Sequence, residues 1–357
     1  MSSHNKAISI GKGICILLMV IGHSACPKAI KDWLYMFHMP FFFFVSGYLF
    51  KEKALISFIP FLKKKVKSLW WPFVKWNIVF ILLHNLLFLA GFEAIEYTWS
   101  EILKRILLSG LMAQSEDMLG TFWFLQQLIR VAIIGWIILK LHQAVCKKRN
   151  IEKNTPFLVS TLLLTVVLTI LSYSINLRIT GIIYKLTFLC LTFFLSGYLY
   201  KLYSPKIKQL RLNNSLWLIG IALTIAGSIY MPVKMHTVDT WQIFPYWIIA
   251  LSGCVMVMHI SAFLQSSMIS NPLDYIGKRT LHIMIWHFLS FKLLTLLLVT
   301  IGVMSQQDLL AFPVPHSARH GWWVLYSIVG TATPLAIELI INRLFRSNNH
   351  KHHSASS

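Results

Sequence analysis

The chain has 357 residues, 56% of them hydrophobic and only 13% charged, with a mean hydropathy of +0.65. Soluble domains run at about 45–50% apolar and about 25% charged residues, so a soluble enzyme or binding module is excluded and a polytopic membrane protein is expected. The net charge of +21 would suggest a nucleic-acid partner in a soluble chain. Here it follows from basic loops that fix membrane orientation, and no nucleic-acid partner is expected.

In chain order, apolar stretches long enough to cross about 30 Å of hydrocarbon fall near 8–25, 33–50, 71–90, 122–141, 156–173, 181–200, 216–231, 243–263, 281–303 and 322–342. The expected fold is therefore all-α, with ten membrane spans. Placing the N-terminus in the cytoplasm puts 22 of the 33 Lys and Arg residues in inner segments. Only Lys28, Lys31, Lys104, Arg105, Arg178, Lys234 and Arg319 then fall in outer loops. The positive-inside rule thus predicts both termini inside, with one transmembrane domain at 1–345 and a short cytoplasmic tail at 346–357. The longest outer loop, 91–121, contains an amphipathic stretch at 97–108, with Trp99 as an interfacial anchor.

The first span carries Lys12 and His23, eleven residues apart in an otherwise apolar run. Eleven helical residues rise about 16 Å and make about three full turns, so the two side chains share one face. Ionisable groups in hydrocarbon are costly and usually face a polar path. Gly11 and Gly13 flank Lys12 and permit close approach by a ligand or by a neighbouring helix, while a lysine at this place also serves as an orientation signal that snorkels to the headgroups. His38 opens the second span and should lie at a depth similar to His23. A neutral histidine near physiological pH accepts a proton from a hydroxyl; it equally well hydrogen-bonds a backbone group at a helix end. Further along, four lysines in five residues (Lys63, Lys64, Lys65, Lys67) suit anionic headgroups or a phosphorylated soluble donor. Arg130 and Lys185 lie too deep to snorkel, which favours a cavity-lining role, with Glu338 as a possible counter-ion. The five cysteines form neither a CxxC motif nor a metal-ligand spacing, and no metal site is expected.

These residues carry a resemblance. The run from Lys12 through His23 to Phe37-His38-Met39-Pro40, with the Ser46-Gly47 pair, resembles the opening of the membrane acyltransferase-3 family, in particular its fucose 4-O-acetylase-like bacterial members. Lys64 and Lys67 before Pro72 look like the family's basic pair. Thr121-Phe122-Trp123-Phe124-Leu125 is similar to a later motif, and so is the segment from Gly277-Lys278-Arg279-Thr280-Leu281 to His287. Lysines stand at 12, 64 and 67 where arginine is the commoner choice, which keeps the charge but loses the bidentate fork.

The resemblance implies a multi-pass enzyme of the bacterial inner (cytoplasmic) membrane. It implies transfer of an acetyl or similar short acyl group from acetyl-CoA, or another acyl-CoA, to a sugar hydroxyl of an envelope, lipid-linked or exported glycan. No cofactor would be held permanently. His23 and His38 would be catalytic, Lys12, Lys64 and Lys67 would bind the coenzyme, and Arg130, Trp123 and His287 would bind substrate or line the cavity. The alternative class is a transporter exporting a glycan precursor or small anion, which paired Gly/Pro-broken spans would support.

Overall fold

The computed structural model describes the backbone of residues 5–152, 154–179, 183–209 and 213–354, and the side chains within them except at 178–179, 183–184, 205–209, 213–216 and 341–354. Of the loop cations sorted above, Lys153, Arg178, Lys206, Lys208, Arg211, Arg343, Arg346 and Lys351 therefore lie outside the described side chains. The helices are α1 Lys6–His23, α2 Lys28–Tyr35, α3 His38–Tyr48, α4 Phe58–Lys65, α5 Trp71–Leu89, α6 Trp99–Gly110 and α7 Trp123–Lys148. They continue with α8 Thr155–Ser174, α9 Lys185–Gln209, α10 Asn213–Tyr230, α11 Ile243–Phe263, α12 Ser270–Gly277, α13 Thr280–Thr300 and α14 Trp323–Ser354. Two-residue strands, β1 Arg178–Ile179 and β2 Ile183–Tyr184, form the one antiparallel ladder among the described residues. The stretch expected as a tail from 346 belongs to α14 as far as Ser354, and 355–357 lie outside the described residues.

Eight helical stretches among the described residues are long and apolar enough to cross a membrane, and each coincides with one of the predicted spans. The predicted span at 216–231 corresponds to a shorter apolar helix, Trp217–Tyr230. The one predicted at 33–50 is not continuous. It breaks between α2 and α3 at Phe37, whose φ of −141° is not helical. The cause is local: Pro40 offers no N–H, and its ring would collide with the carbonyl four residues back, that of Met36, where the break falls.

Proline acts again at the start of α5. Between α4 and α5 the chain makes a π-helical turn, Val66–Trp70, and Pro72 stands four residues after Ser68. The widened turn admits the ring without breaking the helix.

Close helix crossings are set by small residues, as is usual where lipid supplies no hydrophobic drive between helices. A Cβ on Gly47 would lie 1.8 Å from the Phe194 carbonyl oxygen, and one on Gly197 would lie 1.9 Å from that of Phe44, so α3 and α9 touch backbone to backbone. In the same way Gly277 faces the Ser9 carbonyl at 1.7 Å and Gly13 faces that of Leu273 at 2.3 Å. Gly11 lies against the Phe41 ring and Ser261. Both glycines beside Lys12 therefore serve helix packing, not ligand approach.

In the loop between α5 and α7, α6 leaves Trp99, Leu103 and Leu107 exposed at four-residue spacing. Thr98 caps it by accepting from the Glu101 N–H at 3.3 Å. Its other face carries Ile102 into a small cluster with Ile81 and Tyr97.

Candidate functional site

A cavity of about 290 Å³ runs along α1. Lys12, Ile16, Met19 and His23 line it, at the four- and three-residue steps of one helix face. The sequence expectation that Lys12 and His23 share a line is met, and a single void touches both. The opposite wall is α3, which presents His38, Phe42, Val45 and Leu49 at the same steps. The remaining walls are Tyr35 from α2, Ser68 and Leu69 from the π turn, Trp123, Leu125 and Leu128 from α7, Thr280, Leu281 and Met284 from α13, and Met235 with His236 from the α10–α11 loop.

The break before Pro40 places His38. With α2 ended at Tyr35, the carbonyl of Leu34 has no complete helical partner set. His38 Nδ1–H donates to it at 2.6 Å, which fixes the tautomer and leaves Nε2 as the acceptor. The ring is 1% exposed and packs edge-on to Tyr35 at 5.1 Å between centroids. One nitrogen thus does structural work at a helix end while the other keeps its lone pair.

His23 ends α1, where Ser24, Ala25 in a left-handed conformation (φ 63°) and Pro27 turn the chain. It is half-buried. Its ring meets Phe288 edge-on at 5.1 Å and His287 at 5.7 Å. Ser24 accepts from Ser327 of α14 at 2.9 Å, which anchors the turn.

Two expected lining residues lie elsewhere. His287 is fully buried behind His23, not in the cavity wall; its Nδ1–H is shared between the carbonyls of Met284 (2.9 Å) and Ile283 (3.2 Å), so the helix backbone holds it. Arg130 is absent from the wall and donates to the Met112 carbonyl at 3.3 Å, two residues past the end of α6. Lys64 and Lys67 are exposed and outside the wall, but Ser68, the next residue, is in it. Glu338 pairs with Arg279 (2.5 Å), and Lys185 sits over the Tyr173 ring at 5.0 Å. Trp123 lines the cavity as expected and meets His236 at 6.3 Å.

Sequence reasoning passed over Tyr35, Ser68 and His236. Tyr35 and Ser68 adjoin motifs already singled out. His236 lies in an aperiodic loop, and only folding brings it to the wall.

The arrangement offers a cation at one end, a mostly apolar tunnel, and two imidazoles further along the same void. Apolar walls with few convergent polar groups are the usual make-up of a ligand site. No group of three or more potential metal ligands occurs among the described residues. No curated protein and no solved structure gives a match to the chain. The family profile described as an acyltransferase domain, Acyl_transf_3, matches residues 5–339, nearly the whole chain. The protein belongs to this membrane acyltransferase-3 family and is a multi-pass membrane acyltransferase.

Proposed function

We propose that the protein moves an acetyl or similar short acyl group from cytoplasmic acyl-CoA to a sugar hydroxyl of an envelope or exported glycan, in the cytoplasmic membrane of a bacterium. The observation that carries this reading is the single cavity touching Lys12, and His23 and His38 further along. The coenzyme's phosphates would meet Lys12, with Lys64 and Lys67 beside the opening at Ser68. Its extended pantetheine arm would follow the 12, 16, 19, 23 face, whose rise is about 16 Å.

In this reading His23 takes the proton of the acceptor hydroxyl as its oxygen attacks the thioester carbonyl. A C–O bond forms, the C–S bond breaks, and the leaving thiolate recovers the proton from the imidazolium. His38, with Nδ1 tied to Leu34, orients the hydroxyl through Nε2. Trp123 closes the wall opposite. The apolar tunnel limits competing hydrolysis by excluding water.

Coenzyme A binding to purified wild type, Lys12→Arg and Lys12→Ala in detergent tests the donor half of this reading. Arginine is expected to retain affinity. Alanine is expected to lose on the order of tenfold or more, in line with one charge-assisted contact of about 1.5–3 kcal/mol. Unchanged binding in the alanine variant overturns the threaded donor. Mass spectrometry of surface glycans with and without the chain then identifies the acceptor.

A further inference from the structure

Outside the cavity wall, next to Tyr35 and His236 of its lining, lies a set of cations that acyl transfer to a neutral sugar leaves unexplained. Lys31 belongs to α2, Lys234 to the α10–α11 loop and Arg319 to a short 3-10 turn, His316–Arg319, before α14. Lys234 and Arg319, from two other segments, both lie within electrostatic range of Lys31. Burial first, and then the like charge of Lys234, push the Lys31 ammonium below its ordinary value.

Among the described residues none of the three forms an ion pair. Asp32, the one carboxylate acting on Lys31, is engaged by Lys28. Arg319 donates to His316 Nε2 at 2.7 Å. Like charges in mutual range without a counter-charge raise the energy of the fold, and so point to a ligand that supplies the missing anion. Orientation does not account for the cluster, because these cations fall in loops where the positive-inside rule predicts few.

Geometry links the cluster to the site. Lys234 Nζ stands 5.3 Å from the Tyr35 ring centroid, and that ring stands 5.1 Å from His38. His236, two residues along, lines the cavity against Trp123. An anion on Lys234, within range of Lys31, is thus two ring contacts from the imidazole that would receive a hydroxyl. Tyr35 and Trp123 offer aromatic faces of the kind on which a sugar ring packs.

We infer that the acceptor is an anionic saccharide, carrying a carboxylate or a phosphate that seats on Lys31 and Lys234 and so directs a hydroxyl of the same unit toward His38 and His23. This inference rests on the acyltransfer reading above and adds the substrate class.

The test uses full-length protein in neutral detergent, with glucuronic acid, glucose 1-phosphate and glucose as probes and thermal protection as the readout. Wild type is expected to be protected by either anionic sugar at concentrations on the order of tenfold lower than glucose, a gap of about 1.4 kcal/mol. A Lys31→Gln/Lys234→Gln double variant should lose this gap, Lys31→Arg/Lys234→Arg should keep it, and Lys104→Gln, a distant exposed control, should not move it. The gap should also shrink with added salt as screening grows. Equal protection by glucose and the anionic sugars, or a gap that survives the double glutamine variant, overturns the inference. Inorganic phosphate and phosphatidylglycerol are run as separate arms. Protection by either that matches the sugar anions assigns the cluster to a free anion or a lipid headgroup, and overturns it as well. Acetyl-CoA turnover in the same samples separates the two readings: its absence in wild type counts against acyl transfer, whereas turnover without anion preference counts against the anionic acceptor alone.

Discussion

Two histidine centres in this protein, at His84 and at His38 with the half-buried His23, are built in opposite ways. In the first, His84 of α5 has both ring nitrogens engaged, Nδ1 with Glu116 Oε1 at 2.7 Å and Nε2 with the Ile95 carbonyl at 2.8 Å. Its ring stacks on Tyr97, whose hydroxyl donates to the same carboxyl oxygen at 3.1 Å. Asn77 accepts from the Glu116 N–H at 2.7 Å, and Arg105 lies over the Tyr97 ring. In the second, His38 has one nitrogen held by a helix end, and His23 has only ring neighbours. The first centre spends its hydrogen-bonding capacity on the protein, tying the α5–α7 loop to α5. The second keeps lone pairs toward a cavity. Burial therefore does not mark chemistry here; unspent hydrogen-bonding capacity beside a void does.

That contrast is broken or sharpened by exchanging the two centres' losses. The largest effect is expected at the cavity. His23→Ala should lower acyl transfer by roughly 10²–10⁴-fold, the usual worth of a positioned general base, with expression and thermal stability unchanged. Transfer measured by mass spectrometry of the acceptor, at matched protein level, decides it. Retained activity moves the base to His38.

At the other centre the effect should fall on stability. His84→Ala strips a partner from the buried Glu116, worth about 1–3 kcal/mol when left unsatisfied, and removes the tie to the Ile95 carbonyl. A clear drop in melting temperature is expected, with activity per folded molecule preserved. A variant that melts normally but loses transfer would erase the distinction drawn above.

The smallest effect concerns pH. Burial holds the Glu116 carboxyl above the ordinary carboxylate range, against the lowering influence of His84 and Arg105. A carboxyl whose folded value is raised contributes stability that is fully present below its unfolded value and is lost as pH rises through the folded one. Glu116→Gln, neutral at every pH and similar in shape, should flatten this decline while leaving stability in acid nearly unchanged. Parallel melting curves for the two proteins across the range above the ordinary carboxylate value would contradict the assignment.

What the sequence by itself determined is what depends on local period and composition. Hydropathy placed the eight helices that are long and apolar enough to cross a membrane, and the 3.6-residue period put Lys12 and His23 on one face, because both are properties of a short stretch of chain. The Phe37-His38-Met39-Pro40 motif singled out His38, which lines the same cavity as His23. Only the tertiary structure decided that the glycines beside Lys12 face Ser261, Phe41 and Leu273 instead of a ligand. It also decided that His287 backs His23 from behind the wall, that Arg130 turns to Met112, and that Lys234 and Arg319 come within electrostatic range of Lys31 from two other segments. Those outcomes depend on which distant elements pack together, and no local period or composition encodes a contact between residues hundreds of positions apart.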